Sequence, residues 1–260
     1  MPPADKPAVV IRFVDSTMGL GVFAARPIGR GEFIFHERPV ITGLFNEQDS
    51  DNADDVKAQE EAVQASLTTS TRLAVGLAFP RQAAEVGLSV FSQSPPDRLP
   101  FGEIGTRLVH GMLDPDMGGV DLEGYLKYVR SVSTGETPTR SQRRKACRDF
   151  FKEYAFQVRP LNSAIKAPSQ EPSKACIYLL GSLINHCCAG SPGPNCEFQI
   201  GPSGLSKFVE EKAIAIRARR DIPMGQQLSI NYGKLRKGFD CHCETCDRKL
   251  PRAREACIMM

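Results

Sequence analysis

Asn185-His186-Cys187-Cys188-Ala189-Gly190-Ser191-Pro192-Gly193-Pro194-Asn195-Cys196 is the stretch on which the fold of this chain turns. It follows directly on the apolar run IYLLGSLI, residues 177–184. An amide, an imidazole and two thiols placed straight after such a run predict a buried polar cluster. Buried polar groups must be hydrogen-bonded or ligated. Taken alone, the cluster reads two ways: a core histidine satisfied by its neighbours and flanked by structural thiols, or the wall of a site.

Three other features lie outward from it. Downstream, Gly225-Gln226-Gln227-Leu228-Ser229-Ile230-Asn231-Tyr232-Gly233 predicts a turn feeding a strand that ends on a tyrosine, a residue that often only packs there. Upstream, Met18-Gly19-Leu20-Gly21-Val22-Phe23-Ala24 lies between two strand-like runs. Paired glycines let a backbone approach a ligand closely and adopt positive φ; an ordinary hairpin turn uses them equally well. The third glycine and following helix of a dinucleotide loop are missing, which excludes that reading. Near the C-terminus, Cys241-His242-Cys243-Glu244-Thr245-Cys246 crowds three thiols together. Thiolates at this spacing can converge on a tetrahedral Zn²⁺ if one more ligand comes from elsewhere. A reactive or disulfide-forming cluster is the alternative.

The rest of the chain supplies the organisation. VVIRFVD (9–15), VFAARPI (22–28) and EFIFHERPVITGLF (32–45) predict short strands, with a turn through STMGLG. The acidic segment 47–61 reads as a solvated loop or frayed helix. From about 67 to 158 the spacing is mostly helical, in LEGYLKYVRSV and in RRKACRDFFKEYAFQV, whose Cys147, Phe150, Phe151, Tyr154 and Val158 share one face. The basic run Arg140, Arg143, Arg144, Lys145 and Arg148 reads as a solvated helix face or a surface for an acidic partner. Strand character returns at CIYLL, CEFQIG, KFVEEKAIAIRA and QLSINYG, and residues 234–260 are too short and polar for a core of their own. The expected class is therefore mainly β with a helical insertion (α+β), built from several small sheets and closed by a small tail.

Composition limits function. A net charge of +3 over 260 residues gives no ground for nucleic-acid or membrane binding. No signal peptide is visible, and no apolar stretch reaches the ~20 residues that span a bilayer. An intracellular protein is expected, in nucleus or cytoplasm, where nine cysteines serve as metal ligands or buried thiols rather than disulfides.

The order of these features resembles the SET-domain family of protein-lysine methyltransferases. The glycine pair comes first, then Asn-His and Pro-Asn after an insertion, then the strand ending in Tyr232, then the cysteine tail. The flanking phrases GVFAARPIGRGEFIFHERPVI and IRARRDIPMGQQLSINYG are similar to the family too. The likeness covers residues 9–46 and 161–248, and the helical middle matches in position only. The long insertion and Cys-x-Cys-x-x-Cys tail look like those of fungal SET proteins and of relatives that in animals carry a MYND zinc module; no MYND cysteine array is present. The resemblance implies a SET domain over 9–233, interrupted by the insertion at about 47–160, and a zinc-binding post-SET tail over 234–260.

It also implies roles. Met18, Gly19, Leu20 and Gly21 would lay backbone against the methionine end of S-adenosylmethionine, with Asn162, Asn185 and His186 as further cofactor contacts. Tyr232 matches the active-site tyrosine, contributing to both cofactor site and catalysis. Phe239 would close over the adenine or the lysine channel, or simply pack the tail. Zinc would be held by Cys241, Cys243, Cys246 and Cys188, with Cys187 as the rival fourth ligand. Two departures stand out: Ala189 to Gly193 intervene where the family has one residue, and Gln227 stands where glutamate is common, removing one partner of an ion pair. The expected activity is methyl transfer to a lysine amine of a protein, histone or other, by a monomer without nucleic-acid or membrane partners. Methylation of a small-molecule amine and a catalytically silent scaffold are the alternatives.

Overall fold

A run of β-branched and aromatic residues makes the first strand, β1 (Val9–Asp15), which pairs antiparallel with β2 (Gly19–Ala24). The computed structural model describes residues 8–15, 18–45, 57, 59–61, 63, 75–76, 78–87, 122–132, 138–158, 173–188, 193–201 and 212–232. The further strands are β3 (Phe33–Glu37), β4 (Ile41–Phe45), β5 (Phe156–Val158), β6 (Ser173–Ile177), β7 (Asn185–His186), β8 (Cys196–Ile200), β9 (Ile214–Ala218) and β10 (Ser229–Ile230). They form four small sheets among the described residues: β1-β2, β3-β9-β8, β4-β6-β5, and a two-residue parallel pair of β7 with β10. Mainly β with a helical insertion, the architecture is the one expected.

The sheets meet around fully buried aliphatic side chains, among them Ile41, Ile177, Ile184, Ile214, Ile216 and Ile230. Each such side chain contributes about 1.5–3 kcal/mol by leaving water. Between β4 and β5 lie α1 (Pro80–Glu85), α2 (Leu122–Val132) and α3 (Arg140–Tyr154). Thr139 and Gln142 close a capping box at the start of α3, satisfying N–H groups that a helix leaves orphaned. Phe79 stacks 5.3 Å from Phe150 and 4.7 Å from Tyr154, joining α1 to α3. Phe13 of β1 lies 5.9 Å from Tyr125 and 5.4 Å from Tyr128, joining α2 to the hairpin.

Three local expectations need correction. The glycines expected in a turn lie in β2 itself, because Met18 N donates to Asp15 Oδ1 at 2.7 Å and a register shift between Phe13 and Asp15 lets Gly19 pair with Asp15. Val158 is not on the face of α3. The helix stops at Tyr154, and the aromatic and β-branched run after it pairs with β6, Phe156 opposite Cys176 and Val158 opposite Lys174. Nor is the acidic segment wholly solvated at its end: Gln59 Nε2 donates to Leu44 O and Glu60 meets Arg144 at 3.0 Å. That ion pair turns Arg144 toward a neighbour in the fold, whereas Lys145, paired with Asp149 one turn along the same helix, stays on the solvated face. No helix among the described residues is long and apolar enough to cross a membrane.

Glu37, at the end of β3, fixes the approach to the polar cluster. Its carboxylate accepts from the backbone N–H of Leu179 (2.7 Å), Leu180 (3.0 Å) and Gly181 (2.9 Å). These residues lead into the 3-10 turn Gly181–Leu183 and so to Asn185. The residue as a whole is half-buried, its carboxylate held by these three N–H groups. Burial pushes the carboxyl from 4.5 up to about 7, against the pull of the three N–H bonds. The folded chain therefore binds a proton here that the unfolded chain releases earlier, and this group's contribution to stability falls as pH rises through that window. We expect unfolding free energy to decline between about pH 5 and about pH 7 by a component that Glu37→Gln lacks. Urea titrations at several pH values measure it, and parallel curves for the two chains would refute the assignment.

Candidate active site

The site is assembled around the segment 225–230, which is hydrogen-bonded along both edges. On one side Ala24 N donates to Gln226 O (2.9 Å) and Leu228 N to Val22 O (2.7 Å), joining it to the glycine strand β2. On the other side Ser229 pairs with Asn185 and Ile230 with His186, and Cys187 N donates to Ile230 O at 2.9 Å. Asn195, only 1% exposed, locks the segment in place. Its Nδ2 donates to Gln227 O (2.8 Å), and its Oδ1 accepts from Ser229 N (2.7 Å). The glycine strand, the Asn-His pair and the tyrosine strand are thus neighbours, although the sequence spreads them over more than two hundred residues.

His186 and Tyr232 form the polar wall. Their rings are 4.9 Å apart at 39°. Tyr232 N donates to His186 Nδ1 at 3.1 Å, so that nitrogen carries no proton. The proton of the neutral ring then sits on Nε2, which faces Cys188 Sγ at 3.1 Å; the tautomer follows from the network. Tyr232 donates its hydroxyl proton to Ile184 O at 2.8 Å.

The glycine strand forms a second wall. A Cβ on Gly21 would stand 2.6 Å from Gln227 Nε2, 3.0 Å from Val14 Cγ2 and 3.1 Å from Asn185 Nδ2, so only glycine fits against the amides. Gly19 has φ +68 and faces Tyr128 Oη, a group brought in by α2. Leu20 points into the core and Met18 outward to solvent, so these two can serve a ligand mainly through backbone. Both Asn185 Nδ2 and Gln227 Nε2 are buried without a hydrogen-bond partner.

Among the sequence-predicted residues, Gly21 meets Asn185, and His186 meets Tyr232 and Cys188. Asn162, Phe239, Cys241, Cys243 and Cys246 lie outside the described residues. Cys188 and its rival Cys187 are both half-buried, and among the described residues no three His, Cys, Asp or Glu side chains come together as a metal site. Cys147 and Cys196 are core thiols, each pushed up to about 12 by burial and so inert as nucleophiles. Sequence reasoning missed the clamp made by Asn195. The Pro-Asn pair was visible, but nothing local says which strand its amide would bridge.

The model of the SET domain family matches residues 19–233 of this chain. A curated relative, "Histone-lysine N-methyltransferase SET5" of Vanderwaltozyma polyspora, is 35% identical over 89 residues, covering 29% of this chain and 15% of its own length. Among solved structures, the SET domain of LSMT bound to lysine and AdoHcy is similar at 14% identity and a TM-score of 0.37, covering 88% of this chain and 50% of that one. Rubisco LSMT bound to sinefungin and monomethyllysine is similar at 14% identity and a TM-score of 0.34, covering 88% of this chain and 49% of that one.

Asn195→Ala would strand Gln227 O and Ser229 N without partners. Leaving two such groups unsatisfied should lower unfolding free energy by about 2–4 kcal/mol. Denaturant titration checks this, and a loss under about 0.5 kcal/mol, the scale of an ordinary surface substitution, would show that the clamp is dispensable.

Proposed function

We propose, from the premise that this chain belongs to the SET domain family, that it transfers a methyl group from S-adenosylmethionine to the side-chain amine of a lysine in a protein substrate. The observation that carries this reading is the packing of Gly21 against Asn185 beside the His186–Tyr232 pair. The residues suit the cofactor in one respect: the close packing of Gly21 against Asn185 brings the backbone of the glycine strand and an amide side chain to one place. Backbone of Met18, Gly19, Leu20 and Gly21, with Asn185 and His186, would hold it.

The cofactor, when bound, supplies an electrophilic methyl on a sulfonium. The chain's own residues have to align the acceptor and keep water away. The Tyr232 hydroxyl, its proton directed to Ile184 O, can accept an N–H of the amine and turn the nitrogen lone pair toward the methyl. The amine has to arrive uncharged, and desolvation beside a cation lowers the pKa of lysine without a strong built-in base. Transfer would form one N–C bond as the S–C bond breaks, giving a methylated ammonium and a neutral thioether.

Zinc belongs to the same proposal. Cys241, Cys243 and Cys246 lie too close in sequence for three independent structural roles, and Cys188, held beside His186, would supply the fourth thiolate. That metal would order the tail next to the Asn-His strand. Metal binding in small zinc modules contributes on the order of 10 kcal/mol.

Incubating the purified chain with labelled cofactor and a cell extract should give labelled protein. Label on a small molecule instead would move the reading to small-amine methylation, and no label at all would favour a silent scaffold. Tyr232→Phe should keep cofactor affinity while turnover falls at least about tenfold, equivalent to ~1.4 kcal/mol of transition-state stabilisation. Unchanged turnover would remove the hydroxyl from the mechanism. Elemental analysis should find zinc that Cys188→Ser releases and Cys257→Ser retains; zinc held equally by both variants would exclude Cys188 as ligand.

A further inference from the structure

Gln227 stands in the middle of the site without a role in the proposed chemistry, and its surroundings suggest one. It lies on the segment that joins β2 to β7, opposite Phe23 and two residues before the partner of Asn185. Its Nε2 and the Nδ2 of Asn185 crowd the same point on Gly21, 2.6 Å and 3.1 Å from where a Cβ would stand. Both nitrogens are buried and neither has an acceptor. Sealed donors without acceptors are unfavourable, since each has lost its water and gained nothing.

A half-turn about the last side-chain torsion of Gln227 exchanges Oε1 and Nε2 with almost no change of shape. It replaces one of the two donors beside Gly21 by an acceptor. We propose that Gln227 is a positioning residue for the cofactor site: its amide oxygen accepts from Asn185 Nδ2 and holds the Asn185 side chain beneath Gly21. With its nitrogen drawn inward, Asn185 offers its oxygen to a ligand. The inference rests on the methyltransferase reading for the identity of the ligand that Asn185 meets.

The experiment uses the full chain and two measurements, the melting temperature without ligand and the affinity for S-adenosylhomocysteine by calorimetry. Gln227→Met keeps the volume but leaves Asn185 Nδ2 buried without an acceptor, so the ligand-free chain should melt a few degrees below the wild-type temperature while staying folded. Its affinity for S-adenosylhomocysteine should fall about tenfold, because Asn185 is no longer held. Gln227→Glu, which keeps an acceptor in the same place, should bind as the wild type does. Wild-type affinity in Gln227→Met overturns the proposal. So does a Gln227→Glu chain that binds as weakly as Gln227→Met, which would mean that an acceptor at this position does not hold Asn185. A wild-type chain that binds no S-adenosylhomocysteine overturns the methyltransferase reading itself, and this inference with it.

Discussion

Asn195 is buried to 1% exposure and uses both ends of its amide on one strand, donating to Gln227 O and accepting from Ser229 N. A buried amide is costly unless both ends are paired, and pairing both fixes direction as well as distance. The segment 225–230 cannot slip past Asn195 without breaking two hydrogen bonds. Since Ser229 and Ile230 set the register of Asn185 and His186, and Gln226 and Leu228 set that of β2, one side chain governs where the glycine strand, the Asn-His pair and Tyr232 meet.

The parallel pair β7-β10 is only two residues long and would not hold by itself. It persists because its neighbours are over-determined. Ile184 and Ile230 are fully buried on either side, Glu37 gathers the N–H groups of the chain entering β7, and Tyr232 bonds back to both His186 and Ile184. The site is therefore rigid where alignment matters. The Tyr232 hydroxyl cannot swing away without losing its bond to Ile184 O, and the His186 ring cannot flip without losing its bond to Tyr232 N.

The insertion is tied into the same framework. Phe13 of β1 packs on Tyr125 and Tyr128 of α2, and Tyr128 Oη lies 3.9 Å from where a Cβ on Gly19 would stand. Movement of α2 would thus be felt at the glycine strand. α3 is anchored by its capping box and by the Phe79, Phe150 and Tyr154 rings, which bring α1 against it. A helical segment that matched the family only in position nevertheless touches the strand on which cofactor binding is proposed to depend.

The sequence by itself determined what local chemistry can determine. Runs of Val, Ile and Phe made β1, β3 and β8 legible, three- and four-residue spacing made α2 and α3 legible, and the order of Gly-Leu-Gly, Asn-His and Tyr232 made the family legible. It failed where tertiary partners overrule local preference: Val158 left the helical face because β6 offered an unpaired edge, and the glycines joined β2 because Asp15 closed the turn ahead of them. Only the tertiary structure decided that Gly21, Gln227 and Asn185 share one point, that Asn195 bridges Gln227 and Ser229, and that His186 holds its proton toward Cys188. Those relations join residues 32 or more apart, with the exception of His186 and Cys188. Spacing along a chain encodes which face a side chain takes in its own helix or strand. It does not encode which distant strand will lie against that face.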